Sequence, residues 1–192
     1  MTADEDVDFE FVAAIAAARS GEAQGFDQLH ERFAREIYLL GVFECHSKPE
    51  LLVDQVLSQA FGSVTSFVGS EAAYAGHLFE LALENIVDER ASLGLEIDEH
   101  IRCGKEGFEE RMMSAEAVEL HDALHWLSFE ERQMLHLRLT FGQNLLQAAR
   151  TANLTIPEAR AVQASVEQTL NESSQAANSA ITLDSAKVSI SS

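Results

Sequence analysis

His121 and His125 stand four residues apart in EAVELHDALHWL, a spacing that puts two imidazoles on one face of a helix. Such a pair can ligate zinc, with Glu119, Asp122 or His136 available to complete the set. Leu124, Trp126 and Leu127 in the same stretch mark the helix as packed, and no cysteine is near. Half-exposed histidines on a buried helix account for the pair without a metal, and metal binding stays as the alternative. His100-x-x-Cys103 has no second pair of ligands to close a site. The chain's 32 acidic residues invite a search for general acid–base pairs, but a working pair needs a pocket and a raised pKa. Glu80, Glu84, Asp88 and Glu89 instead recur on one outward helix face. No Gly-rich phosphate loop, nucleophile elbow or Ser/His/Asp arrangement is present. The expectation is a protein that is not an enzyme and uses no cofactor.

The elements that would carry these residues are helices. Phe9, Val12, Ala13, Ala16 and Ala17 recur at helical spacing, and Gly21 to Gly25 break the pattern. A second stripe is Phe26, Leu29, Phe33, Ile37, Leu40 and Gly41, with Glu31, Arg35 and Glu36 opposite. A third helix, residues 50–67, presents Leu52, Val53, Val56, Leu57, Ala60, Phe61 and Val64. A fourth, residues 71–91, presents Tyr74, Leu78, Leu81, Ala82, Asn85 and Ile86. Four amphipathic helices with short connections suit a bundle.

Residues 93–114 mix glycines with charged runs and hold no period, which reads as a linker. Residues 115–170 form a second group of short helices, and the Ser- and Ala-rich residues 171–192 read as a disordered tail. The sequence therefore predicts an all-α protein with an N-terminal domain over residues 1–92 and a C-terminal domain over residues 115–170.

Charge bounds the partners. Thirteen basic residues against 32 acidic ones leave a net charge of −19. Residues 1–95 hold 17 acids and 5 bases and the remainder 15 and 8, so neither half is a basic module. Binding free duplex DNA requires Lys and Arg to displace condensed counterions, and this chain as a whole would be repelled. Cys45 and Cys103 form neither a disulfide framework nor a C-x-x-C motif. With an acidic N-terminus and no apolar run of membrane-spanning length, the expected setting is the cytoplasm, away from membranes.

The second group has a definite grammar. Ser128 is a candidate N-cap with Glu131 three residues on, as in a capping box. Residues 144–152 form a helix, Ala152–Asn153–Leu154 a tight turn, Thr155 the next N-cap, and Pro157 falls in the first turn, where proline is tolerated. That is the layout of a helix-turn-helix.

Here the chain resembles the sigma-70 family of bacterial transcription initiation factors, in its small two-domain extracytoplasmic-function (ECF) group. The resemblance runs over roughly residues 9–170. Leu120, Ala123, Leu124, Leu127, Glu131, Arg132, Met134, Leu135, Leu137 and Arg138 look like the family's leucine-rich helix and "LP…R" pattern. Phe141–Gly142 stands at its glycine turn, Ala148–Ala149 at its "IA" and Leu154–Thr155 at its "IS". In the N-terminal group, Phe26 and Leu29 resemble "AF..L", Val53 to Phe61 the polymerase-binding helix, and Leu78 to Asp88 the "WL..IA….D" helix.

The resemblance implies a region 2-like bundle joined to a region 4-like helix-turn-helix domain. It also implies a protein-binding surface on the third helix, at Asp54, Gln55, Ser58, Gln59 and Phe61. Departures cluster where the family touches DNA. Residues 158–170 offer Arg160 as their one cation, with Val162, Ser165 and Glu167 where bases are usual; Arg150 is the other candidate DNA contact. On the fourth helix His77 replaces the usual tryptophan, and Glu80, Leu83 and Glu84 occupy polar or basic positions. Phosphate anchoring and base stacking are both reduced. The leading expectation is a divergent ECF sigma-like regulator acting through contacts with RNA polymerase core, an anti-sigma factor or both. DNA would then be met weakly or within a holoenzyme. The alternatives are an active promoter-recognising sigma factor and an acidic helical adaptor or decoy for a basic protein.

Overall fold

The computed structural model describes residues 8–44, 46–95, 124 and 126–172. The pair His121/His125, the pair His100/Cys103 and Cys45 lie outside them, as do all but the margins of the expected linker and tail. The described elements are helical, with no strand among them: α1 (Phe9–Arg19), α2 (Ala23–Phe43), α3 (Pro49–Ser63), α4 (Glu71–Ser92), α5 (Phe129–Leu135), a π-helical turn (His136–Thr140) and α6 (Leu145–Thr151). A last helix, α7, runs over residues 156–172.

Their ends follow from local chemistry. The first N–H groups of a helix lack intrahelical partners, and short polar side chains supply them. Asp8 accepts from the N–H groups of Glu10 and Phe11, 3.0 Å each, and Ser70 accepts from that of Ala73. Pro49 opens α3, where a missing donor costs nothing. Ser128 and Glu131 form the expected capping box, and Asn144 with Gln147 forms a second. At α7 the N–H of Thr155 donates to Glu158 Oε2 at 2.8 Å, and that of Glu158 returns to Thr155 Oγ1 at 3.4 Å. Between α6 and α7 the backbone turns at Asn153, whose φ of 54° is left-handed, a conformation asparagine tolerates better than most residues.

The buried faces of α2, α3 and α4 are those the periodicity indicates, led by Leu29, Phe33, Ile37, Leu52, Val56, Leu78 and Ile86. The face of α1 is not. Phe11, Ala14, Ile15 and Ala18 are buried, whereas Phe9 is 81% exposed and Val12 also faces outward. This helix is apolar nearly all round, so two stripes compete, and the one carrying both Phe11 and Ile15 buries more surface. Phe11 then meets Phe33 edge-on, with ring centroids 6.4 Å apart, and Tyr74 at 5.7 Å.

Gly25 also corrects the sequence reading. It lies inside α2 rather than in a break, because α1 and α2 cross there: a Cβ would stand 2.2 Å from Ala18 N and 2.7 Å from the Ala17 carbonyl carbon. Both are backbone atoms, so nothing can give way.

The two groups of helices pack on each other. One apolar cluster joins the cores of α1–α4 to Met134, Leu137, Phe141, Ala148, Ala149 and Ala159, and a second joins Val42 and Phe43 to Leu124, Leu127, Leu135 and Val166.

Gly25→Ala is expected to lower the unfolding free energy by at least ~2 kcal/mol, through overpacking against backbone. Gly62→Ala, in α3 with nothing within 4 Å of the added methyl, is expected to raise it by up to about 1 kcal/mol. Chemical denaturation of the two variants checks the contrast.

Candidate functional site

Between the two apolar clusters lies a buried ion group centred on Glu44. This residue caps the C-terminal end of α2, where the helix dipole disfavours a carboxylate, and it is 3% exposed. Arg90, in the last turn of α4, brings Nη2 to 2.7 Å from Glu44 Oε2 and donates to the Glu44 carbonyl at 3.1 Å. Arg132 of α5, wholly buried, donates from Nε to Glu44 Oε1 at 3.0 Å and from Nη1 to the Leu127 carbonyl at 2.9 Å. Its guanidinium also lies over the Phe129 ring, 5.8 Å from the centroid. His136 of the π turn places Nε2 3.3 Å from Glu44 Oε1. That contact is electrostatic rather than a well-aligned hydrogen bond.

Burial pushes the Glu44 carboxyl up, and His136, Arg132 and Arg90 together more than reverse this, holding it at about 2. It is a fixed negative charge. Sequence reasoning missed the group, although two signals were there. Arg90 continues the four-residue spacing of Leu78, Ala82 and Ile86, which points it inward, and Glu44 follows directly on the apolar Val42–Phe43. His136, named above as a third metal ligand, is committed to Glu44, and no metal-binding cluster occurs among the described residues.

The C-terminal helices meet α4 at a second place. Gly76 has no room for a side chain: a Cβ would come within 2.7 Å of Thr151 Oγ1 and 3.3 Å of Gln143 Nε2. Gln143 is buried and donates to the Ala72 carbonyl at 3.2 Å, while the Thr151 hydroxyl donates to Gln143 Oε1 at 3.1 Å. Phe141 stacks edge-on against Phe79, with centroids 5.5 Å apart.

Of the residues expected to bind a protein, Asp54, Gln55, Ser58 and Gln59 are exposed and share one face of α3, joined by the half-exposed Leu51. Gln59 accepts a 3.0 Å hydrogen bond from Asn85 of α4. Phe61 does not share that face. It is half-buried, with its ring 4.8 Å from that of Phe26.

Arg150 and Arg160, the candidate DNA contacts, are both exposed but lie on different helices. Arg150 borders a cleft of about 260 Å³ between α4 and α6, together with Ser70, His77 and Glu80. Arg160 is the one cation on α7, where Glu158, Glu167 and Glu172 are exposed beside it. A larger cleft of about 530 Å³ lies between α2, α4 and the π turn, where Arg32 is held by Asp8 and Glu71 while the buried Glu36 Oε2 has no hydrogen-bond partner.

Neither the comparison with protein-family models nor that with curated proteins finds a match. Among solved structures, the chain is similar to CnrH in its complex with the cytosolic domain of CnrY. The TM-score is 0.65, at 16% sequence identity over 87% of this chain and 98% of that one. The two share an all-helical fold.

Glu44→Gln removes the anion from three buried partners and is expected to cost the folded form roughly 3–5 kcal/mol. Because the carboxyl pKa is depressed in the folded chain, its contribution is fully present above about 4.5 and is lost as the pH falls toward about 2. Denaturant midpoints measured across that range should fall for the parent chain, and the part of the fall due to Glu44 should be missing in Glu44→Gln.

Proposed function

We propose that this chain is an ECF sigma-like transcription regulator that works through protein contacts, with RNA polymerase core, an anti-sigma protein or both as partners. The observation that carries the reading is the fold shared with CnrH over 87% of the chain, CnrH being an ECF sigma factor bound there to the anti-sigma CnrY. The apolar framework of both helical groups is kept, while the surfaces a promoter would touch are acidic. In this reading residues 1–92 are the region 2-like domain, 93–114 the linker and 115–170 the region 4-like helix-turn-helix domain. The setting is cytoplasmic. Among the described residues no helix is long and apolar enough to cross a membrane.

The contact surface assigned to this function is the exposed face of α3: Asp54, Gln55, Ser58 and Gln59. Phe61 contributes by holding that helix against Phe26. DNA contact falls to Arg150 and Arg160. Each phosphate contact adds a salt-dependent increment of affinity, and one cation on α7 among three carboxylates supplies little of it.

Pull-down of core polymerase by the purified chain tests the reading. Alanine at Asp54, Gln55, Ser58 and Gln59 together should weaken capture at least tenfold, at least ~1.4 kcal/mol, with helicity unchanged. An undiminished interaction would remove α3 from the argument, and recovery of no transcription component by parent chain or variant would remove the function. Capture of an Arg- and Lys-rich partner that is lost steeply with salt would favour an acidic adaptor instead.

Labelled duplexes from the gene's own upstream region test the DNA arm. At physiological salt the chain alone should show no sequence-selective binding. Saturable binding abolished by Arg160→Ala, or specific initiation with core polymerase in vitro, would restore a promoter-recognising sigma factor.

A further inference from the structure

We propose that the cleft between α2, α4 and the π turn is a binding site for a small organic ammonium ion, with Glu36 as the counter-charge. The cleft measures about 530 Å³, within the range of small-molecule sites, which are concave and mostly apolar with a few polar groups that fix the ligand. Glu36 lines it from α2. Its Oε2 is shut off from solvent, and no donor among the described residues reaches that oxygen. A carboxylate oxygen so placed has lost its water without a replacement and carries the full desolvation penalty. The natural partner within the chain is Arg32, four residues earlier on the same face of α2. Arg32 instead turns to Glu71 and Asp8. One guanidinium thus serves two carboxylates, and Glu36 stands as the uncompensated charge of the cleft.

The walls decide what kind of cation fits. A divalent metal ion needs several protein ligands, and no group of three or more metal-binding side chains occurs among the described residues. Much of the lining is apolar instead: Ala72 and Ala75 of α4, Phe141, and Leu139, which is 66% exposed. Thr140 and Gln147 add a hydroxyl and an amide. An ammonium on a hydrocarbon body matches both features. Its N–H groups satisfy the carboxylate oxygen through charge-assisted hydrogen bonds, and its carbons cover Leu139 and the alanine methyls. A neutral ligand of the same shape leaves the charge of Glu36 unanswered. The chain's net charge of −19 draws any cation toward its surface, so a true site has to be distinguished from that general attraction. The site goes beyond the proposed function and stands without it.

Calorimetric titration of the full-length chain with hexylammonium and phenethylammonium, at low and at high salt, tests the site. One-to-one binding is expected, at least about tenfold tighter than that of hexanol or phenylethanol, a difference of about 1.4 kcal/mol. Glu36→Gln keeps the shape and removes the charge. It should weaken both amines by about tenfold or more and leave the alcohols unchanged. Leu139→Ala, at an exposed position, should weaken amines and alcohols alike by removing the same apolar contact. Salt should lower the amine affinity only slightly, because a partly buried pair is screened less than an exposed one. Alcohols that bind as tightly as the amines would overturn the proposal. Amine binding that survives Glu36→Gln, or that vanishes with salt, would also overturn it, since that marks attraction to the acidic surface at large. So would the absence of saturable binding by either amine at millimolar concentration. A capped lysine amide that binds tighter than either amine would overturn the free amine and give the site to a protein side chain. Denaturation supplies a readout without ligand: Glu36→Gln should keep or raise the parent's unfolding midpoint, because it removes an unpartnered carboxylate. A lowered midpoint would show that the chain itself compensates Glu36, and would overturn the site.

Discussion

The arrangement turns on one charge kept out of water. Glu44 sits at the negative end of a helix and is buried, two reasons for its carboxyl to be neutral. It stays ionised because three cationic or protonatable side chains from three other elements converge on it. That convergence ties α5 and the start of the π turn to the end of α2. It also brings Phe43 beside His136, with rings 5.9 Å apart. Around it the two apolar clusters close like gaskets. Apolar contact supplies most of the driving force for assembly, while the ion group decides which of several greasy faces meet.

Helix identity and most caps were legible in the sequence because they depend on neighbours in the chain. Ser128 with Glu131 and Thr155 each act within one turn of helix, whereas Pro49, outside the predicted third helix, proves to open it. The inner faces of α2 to α4 were legible because their polar residues fall cleanly opposite. α1 was not, since Phe9–Val12 and Phe11–Ile15 are equally apolar stripes and the choice is made by Phe33 and Tyr74, far away in sequence. Gly25 was misread for the same reason: a glycine that admits a crossing helix and one that ends a helix look alike until the crossing is seen.

The α3 face came through better than the ion group. Asp54, Gln55, Ser58 and Gln59 alternate with a strong apolar stripe, so periodicity alone turns them outward, and the same periodicity puts Phe61 on the apolar stripe, where it meets Phe26 rather than the exposed face. Glu44 and Arg132 are 88 positions apart, and no local pattern links them. Fold and charge carry different messages in this chain: the apolar positions build an architecture shared with CnrH, while acidic residues outnumber basic ones 32 to 13.

The π-helical turn at His136–Thr140 makes the spacing between Arg132 and Phe141 a matter of single residues. A π turn holds one residue more than an α turn over the same rise, and each residue advances the helix by about 100°. Shortening the stretch by one would keep it helical and keep Arg132 on Glu44, but it would swing Phe141 and Gln143 off α4. Evolution can therefore exchange side chains freely on the outer face of this segment, yet it has almost no freedom there to insert or delete.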